Sequence, residues 1–368
     1  MIKYLLYILL FLIPLIYLPY GISPFESYKV IAVIIGVLTL FIALLVKYKQ
    51  KLYSKFNKLL VILVAAIFLL SLFHLISAFS FDAFLGNVFR LQGIYLLWIL
   101  LLLSLLSCVV KFKNAPFILP FISLILLAFF AYYFGLNINN RSYSTLGEPN
   151  AFAAIIIFIW PFLFFNLKNK YYLLVAKVTF IVLIIPLLVF AASSSAIVAL
   201  VIQLIFILLL KFTKRVSLST LICILLLILS LILPIFDKRS VYENRVEVWK
   251  TAIKAGSDSL IWGNGFGNES PIMHKASLEL NNSLQLDNVD SAHNIFLDFF
   301  VEGGIVGLII FISLWLISIK KLICNKNTLE IILFLGLSVC LSFNPLSVAT
   351  LVQFWWLIGQ SFTNTKLD

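Results

Sequence analysis

The sequence predicts an all-α polytopic membrane protein with about 12 transmembrane helices and one large extracytoplasmic loop between helices 9 and 10. Three observations predict it: a composition too apolar for a water-soluble fold, apolar runs of spanning length, and basic residues gathered in alternate loops. Of the 368 residues, 63% are hydrophobic and 11% charged. A soluble domain averages roughly 45–50% apolar and about 25% charged. The lipid bilayer is therefore the first partner the chain requires.

A bilayer core takes about 20 apolar residues per helix. Runs of this kind lie near Tyr4–Tyr20, Tyr28–Val46, Leu59–Phe79, Gly93–Val110, Pro116–Phe134, Ala151–Leu167, Tyr172–Ala192, Ala196–Leu210 and Leu218–Phe236. A polar stretch follows from Asp237 to His293, and then Asn294–Ile319, Leu329–Phe343 and Leu346–Phe362. This divides the chain into helices 1–9 (1–236), a loop (237–293) and helices 10–12 (294–368). The first run follows Met1-Ile2-Lys3 without a small-x-small cleavage site, so it reads as a retained helix.

Charge sets the orientation. With the N-terminus inside, cytoplasmic loops hold Lys47, Lys49, Lys51, Lys55 and Lys58, then Lys111/Lys113, Lys168/Lys170, Lys211/Lys214/Arg215 and Lys320/Lys321/Lys326. The short outer loops hold only Lys29, Arg90 and Arg141. That is the positive-inside pattern. It accounts for the net charge of +12 without nucleic acid, and it puts both termini in the cytoplasm and Asp237–His293 outside. None of the four cysteines lies in that loop, which argues against a disulfide framework.

The loop is the one polar piece large enough to shape a site. Val241–Ala255 carries Val246, Trp249 and Ile253 at helical spacing, with charged residues between. Two readings stay open: an amphipathic helix on the bilayer surface, or one packed on the protein's own top.

Arg90, Arg141 and Arg245 stand near span ends on the outer side, where cations are disfavoured. A guanidinium fork suits phosphate oxygens; a salt bridge or lipid-headgroup contact is the plainer role. His293 sits where the loop re-enters the membrane, and an imidazole can take a proton near neutrality. Glu302, before Gly303, Gly304 and Gly307, lies well inside a span, where a charge needs a partner such as an arginine, or a wet cavity to line; a structural ion pair is expected rather than catalysis. The glycines suit close helix approach, and Asp298 shares Glu302's ambiguity. Trp262-Gly263-Asn264-Gly265-Phe266-Gly267 lacks the strand and lysine of a nucleotide loop and reads as a tight turn, in which Gly265 helps shape the site. Asp287 and Asp290 are the nearest approach to a metal pair, but no His/Cys cluster joins them, so neither metal nor cofactor is expected.

Four segments resemble the O-antigen ligase and polymerase superfamily of bacterial envelope glycan assembly. They are Asp82 to Gly93, Thr145 to Ala151, Asn244 to Gly267, and His293 to Gly307, the last being H-N-I-F-L-D-F-F-V-E-G-G-I-V-G. The layout of nine spans, a loop and three spans is similar too. Glu148 departs from the pattern, since members commonly carry Asn before the Pro-Asn. The resemblance implies a metal-independent, inverting transfer of a glycan from a polyprenyl pyrophosphate carrier to a glycan, lipid or protein acceptor, on the outer face of the bacterial inner membrane. It implies His293 as base, Arg245, Arg90 and Arg141 as donor contacts, and Asn294, Trp249, Gly265 and Glu302 in support. Ligase and polymerase share these segments. A transporter that makes no bonds is the alternative, though no internal repeat supports one; a noncatalytic scaffold is a third.

Overall fold

The computed structural model describes residues 2–21, 23–77, 80–112, 117–135, 140–164, 170–232, 245–281 and 290–363. Residues 237–244, Asp287, Lys113 and Lys168 lie outside the described residues, and with them the start of the expected amphipathic helix and half of the Asp287/Asp290 pair. Among the described residues the fold is helical, without a β-strand.

Helices form where the apolar runs predict them, α4 apart: α1 (Ile2–Phe11), α2 (Ser27–Tyr48), α3 (Lys58–Ser77), α4 (Phe81–Leu85), α5 (Ile94–Val109), α6 (Ile118–Phe134), α7 (Pro149–Phe164), α8 (Lys170–Ala191), α9 (Ser194–Thr213) and α10 (Val216–Ser230). After these come α11 (Arg245–Ser257), α12 (Glu269–Glu279), α13 (Ile295–Cys324), α14 (Thr328–Leu341) and α15 (Val348–Ser361). By length and composition α2, α3, α8, α9 and α13 are each able to cross a membrane. The short α4 sits where no run was read. The first run is shorter than expected, because Pro14 enters a 3₁₀ turn at Ile13–Leu15.

The layering follows from the residue faces. Helices α7, α14 and α15 are apolar all round and almost wholly buried. Around them α2, α3, α8, α9 and α10 turn Ile35, Leu69, Ile181, Val201 and Leu225 outward, an apolar exterior fit for lipid. Amides tie the buried layer: Gln203 accepts from the Trp160 indole at 2.6 Å and donates to Ile332 O at 2.9 Å. Gln360 donates to Ser107 O and Val110 O at 2.7 and 2.9 Å. With no water nearby, each such bond satisfies a backbone group that would otherwise be costly.

Helix α13 corrects the expectation of one continuous span. It breaks at Gly304, where φ is +64°. The break parts the carbonyls of Val301 and Glu302 from the amides of Ile305 and Val306. The glycine-rich turn replaces both sides: Asn264 N and Gly265 N donate to Val301 O and Glu302 O, each at 2.9 Å. Ile305 N and Val306 N donate to Leu260 O and Ile261 O at 2.9 and 3.2 Å. The backbones come so close that a Cβ on Gly304 would strike Ile261 O, and one on Gly263 would strike Glu302 O. Thus Gly304 admits a docked loop rather than a neighbouring helix. Gly304→Ala adds that clash to a left-handed penalty of about 1–2 kcal/mol, for a total near 3 kcal/mol. A melting midpoint in detergent unchanged from the parent would contradict this.

Candidate active site

Two small helices build the site on the start of α13. Val248, Ala252 and Ala255 of α11 pack with Met273 and Ala276 of α12 against Ala292 and Val301. In the amphipathic segment, α11 seats this small-residue face on the protein itself, while Ile253 on the other side is 52% exposed. Trp249 lies one turn beyond Arg245, and its ring is 5.9 Å from Phe343.

The linker into α13 then places His293. Asn294 caps the helix, its Oδ1 accepting from Phe296 N at 3.0 Å and Leu297 N at 3.4 Å. The preceding residue must turn sharply, and His293 takes a left-handed φ of +53°. Its imidazole is buried between two groups of opposite charge. Arg245 Nη1 lies 2.5 Å from Nδ1, and Asp290 Oδ1 lies 3.9 Å from Nε2. A guanidinium can only donate, so Nδ1 accepts and the ring proton sits on Nε2, facing the carboxylate.

Asp290 is held in turn by Arg90. The pair is bidentate, with Arg90 Nη2 at 2.8 Å from Oδ1 and Nε bonded to Oδ2. Arg90 Nη1 also donates to Leu346 O at 3.0 Å. Burial by itself would raise the Asp290 carboxyl, but the Arg90 guanidinium, and His293 after it, hold it far below the usual carboxylate range.

Arg141 has a similar anchor. Its Nε donates to Ala191 O at 2.8 Å and its Nη2 to Asn150 Oδ1 at 2.7 Å. Asn150 donates to Glu148 Oε1, and Glu148 Oε2 accepts the Ala151 amide, so the departing residue caps α7. Burial depresses the Arg141 guanidinium; Glu148 opposes this and the nearby charge of Arg245 adds to it. All three cations expected in short outer loops therefore have internal bonds, since Lys29 is fully buried and donates to Phe25 O and Thr145 O.

The structure gathers Arg245, His293 and Arg90 around Asp290, with Arg141 close enough to feel Arg245. Gly265 stands apart from them, in the turn docked on α13. The expected Glu302–arginine ion pair is not what holds Glu302: its Oε1 accepts the Gly267 amide at 2.8 Å. Low dielectric favours such a bond over a distant cation. Sequence reasoning missed Asp290 as the partner of His293, although its position three residues earlier was a usable signal. It missed Glu269 altogether, because nothing local marks it. Among the described residues no cluster of three or more His, Cys, Asp or Glu could hold a metal.

The fold and site together define an all-helical membrane protein with a buried cationic histidine centre on a docked loop. Residues 179–312 match the family model described as O-antigen ligase, bearing out the resemblance to that superfamily. This stretch contains Arg245, Trp249, Gly265, His293, Asn294 and Glu302, but neither Arg90 nor Arg141. The chain is also similar to a ComP-specific O-oligosaccharyltransferase of Acinetobacter baylyi, 29% identical over 222 residues. That match covers 55% of this chain and 39% of the relative, so the chain spans well under half of the relative's length.

Proposed function

We propose that this chain is a membrane glycosyltransferase of the ligase or polymerase kind, moving a glycan from a polyprenyl diphosphate carrier to an acceptor hydroxyl. One observation carries the proposal: the imidazole of His293 is clamped between the Arg245 guanidinium and the Asp290 carboxylate. The family match to residues 179–312 supports it.

In this scheme the donor diphosphate draws Arg245 off Nδ1. A fork of N–H donors binds phosphate oxygens well and stabilises the charge that develops on the leaving group. The freed Nδ1 takes the proton of the acceptor hydroxyl as its oxygen attacks the anomeric carbon. The bond from that carbon to the diphosphate breaks, and the diphosphate departs with the electron pair. A single displacement inverts the anomeric centre. Asp290 faces the Nε2 proton and stabilises the imidazolium. Arg141 offers a second cation to the donor, while Arg90 serves by fixing Asp290. The activated donor supplies the energy, so no nucleotide, metal or cofactor enters. Twelve spans, an outward-facing site, cytoplasmic termini and a bacterial inner membrane complete the reading, and the outward apolar faces of α2, α3 and α8–α10 support it.

The test is reconstitution. Purified protein mixed with polyprenyl-diphosphate glycan and a glycan, lipid or protein acceptor should release polyprenyl diphosphate and yield an inverted linkage. Movement of donor across a vesicle membrane with no product would favour a transporter.

A further inference from the structure

A cavity of about 100 Å³ opens beside the site, between the starts of α5, α13 and α15. Its polar wall carries Glu269, Asp298 and Glu302 next to Arg90 and Asp290. The scheme above uses none of the first three. Glu302 holds the glycine turn through Gly267. The other two meet at the residue before His293: Ala292 N donates to Glu269 Oε1 at 2.7 Å and to Asp298 Oδ1 at 3.0 Å. Two carboxylates brought onto one buried amide repel each other unless they share a proton, which turns one of them into a donor to the other.

We propose that Glu269 and Asp298 are positioning residues for His293: as a pair sharing one proton, they grip the Ala292 amide and fix the left-handed turn that sets the imidazole between Arg245 and Asp290. This rests on His293 being the base. Glu269 comes from α12 and Asp298 from α13, so the grip spans two elements of the loop assembly. The charged groups facing the pair are Arg90, Asp290 and His293 from the linkers and Glu302 from α13. Burial pushes the Glu269 carboxyl up, and the carboxylates of Asp298 and Glu302 push it further. Glu269 is therefore the natural holder of the proton. As pH rises and the proton leaves, the two carboxylates repel each other and the grip loosens.

The experiment compares the parent, Glu269→Gln and Glu269→Ala in membranes at matched protein level. It measures kcat for transfer against pH and the binding of polyprenyl diphosphate. Glu269→Ala should lower kcat by about 10²-fold with polyprenyl diphosphate binding unchanged, the scale expected when a reacting group is misplaced by an ångström. Glu269→Gln should restore most of it, because the amide oxygen accepts from Ala292 and its NH₂ donates to Asp298. The parent's kcat should fall at alkaline pH, and that fall should be absent in Glu269→Gln, whose donor cannot titrate. Parental kcat in Glu269→Ala would overturn the proposal, as would an alkaline limb in Glu269→Gln matching the parent's. If Glu269→Ala does not accumulate, the Glu269→Gln profile decides. Full activity in His293→Asn would instead defeat the base assignment itself, whatever the Glu269 variants do.

Discussion

Replacing His293 with Ala or Asn is expected to lower glycan transfer by about 10²–10⁴-fold, the usual contribution of a positioned general base. The loss should fall on kcat, because the proton moves only in the transition state. Asn is the better probe: His293 sits at φ +53°, a conformation that Asn tolerates and Ala does not. Arg245, Asp290 and the diphosphate-binding surface remain in place, so binding of polyprenyl diphosphate should persist. Initial rates on the reconstituted donor, with melting midpoints measured alongside, separate lost chemistry from lost fold. An Asn variant turning over at the parental rate would remove the base from the scheme.

The second large effect concerns stability. Arg90→Ala leaves Asp290 buried against the α14–α15 link without its counter-ion, and breaking such a pair costs about 3–5 kcal/mol. Lys should rescue little, since its single nitrogen lacks the planar fork with which three separate nitrogens of Arg90 meet both carboxylate oxygens and Leu346 O. The pH dependence has a definite sign. In the parent, Asp290's folded pKa lies below its unfolded value, so the pair's contribution is present above the unfolded value. It disappears only as pH falls through the much lower folded one. In Arg90→Ala burial is no longer opposed by the guanidinium, and protonation of the carboxyl relieves the cost. The deficit against the parent should be greatest at neutral pH and shrink in acid. Thermal melts of both proteins from neutral to acid pH measure it; a constant deficit would show that Arg90 acts by packing alone.

These two outcomes distinguish the arginines. Arg90 is committed to Asp290, whereas Arg245 bonds the side of the imidazole that the scheme requires to be uncovered. Arg245→Ala should thus impair donor binding and rate with less effect on melting than Arg90→Ala.

Much of this molecule was legible in the sequence. Apolar runs marked where the apolar helices lie, though not α4 or α12, because helix formation in an apolar solvent depends on the local composition. The segments Asp82 to Gly93, Asn244 to Gly267 and His293 to Gly307 stood out one by one, and Arg245, Asn294 and His293 were visible as polar residues at span ends. The interlocking of those segments was not legible. Gly267 faces Ala83 and Gly263 faces Gly304, each at a distance that admits no Cβ. Such contacts join residues far apart in the chain, and local periodicity carries no record of them.

The sequence by itself determined that the chain is helical and lipid-solvated, since its apolar surplus permits little else. Tertiary structure alone decided which charges meet. Arg90 and Asp290 are 200 residues apart, and Glu269 reaches the His293 turn through an amide that any residue but proline supplies. Pairing of buried charges depends on distance and low dielectric, and both exist only after the helices have packed.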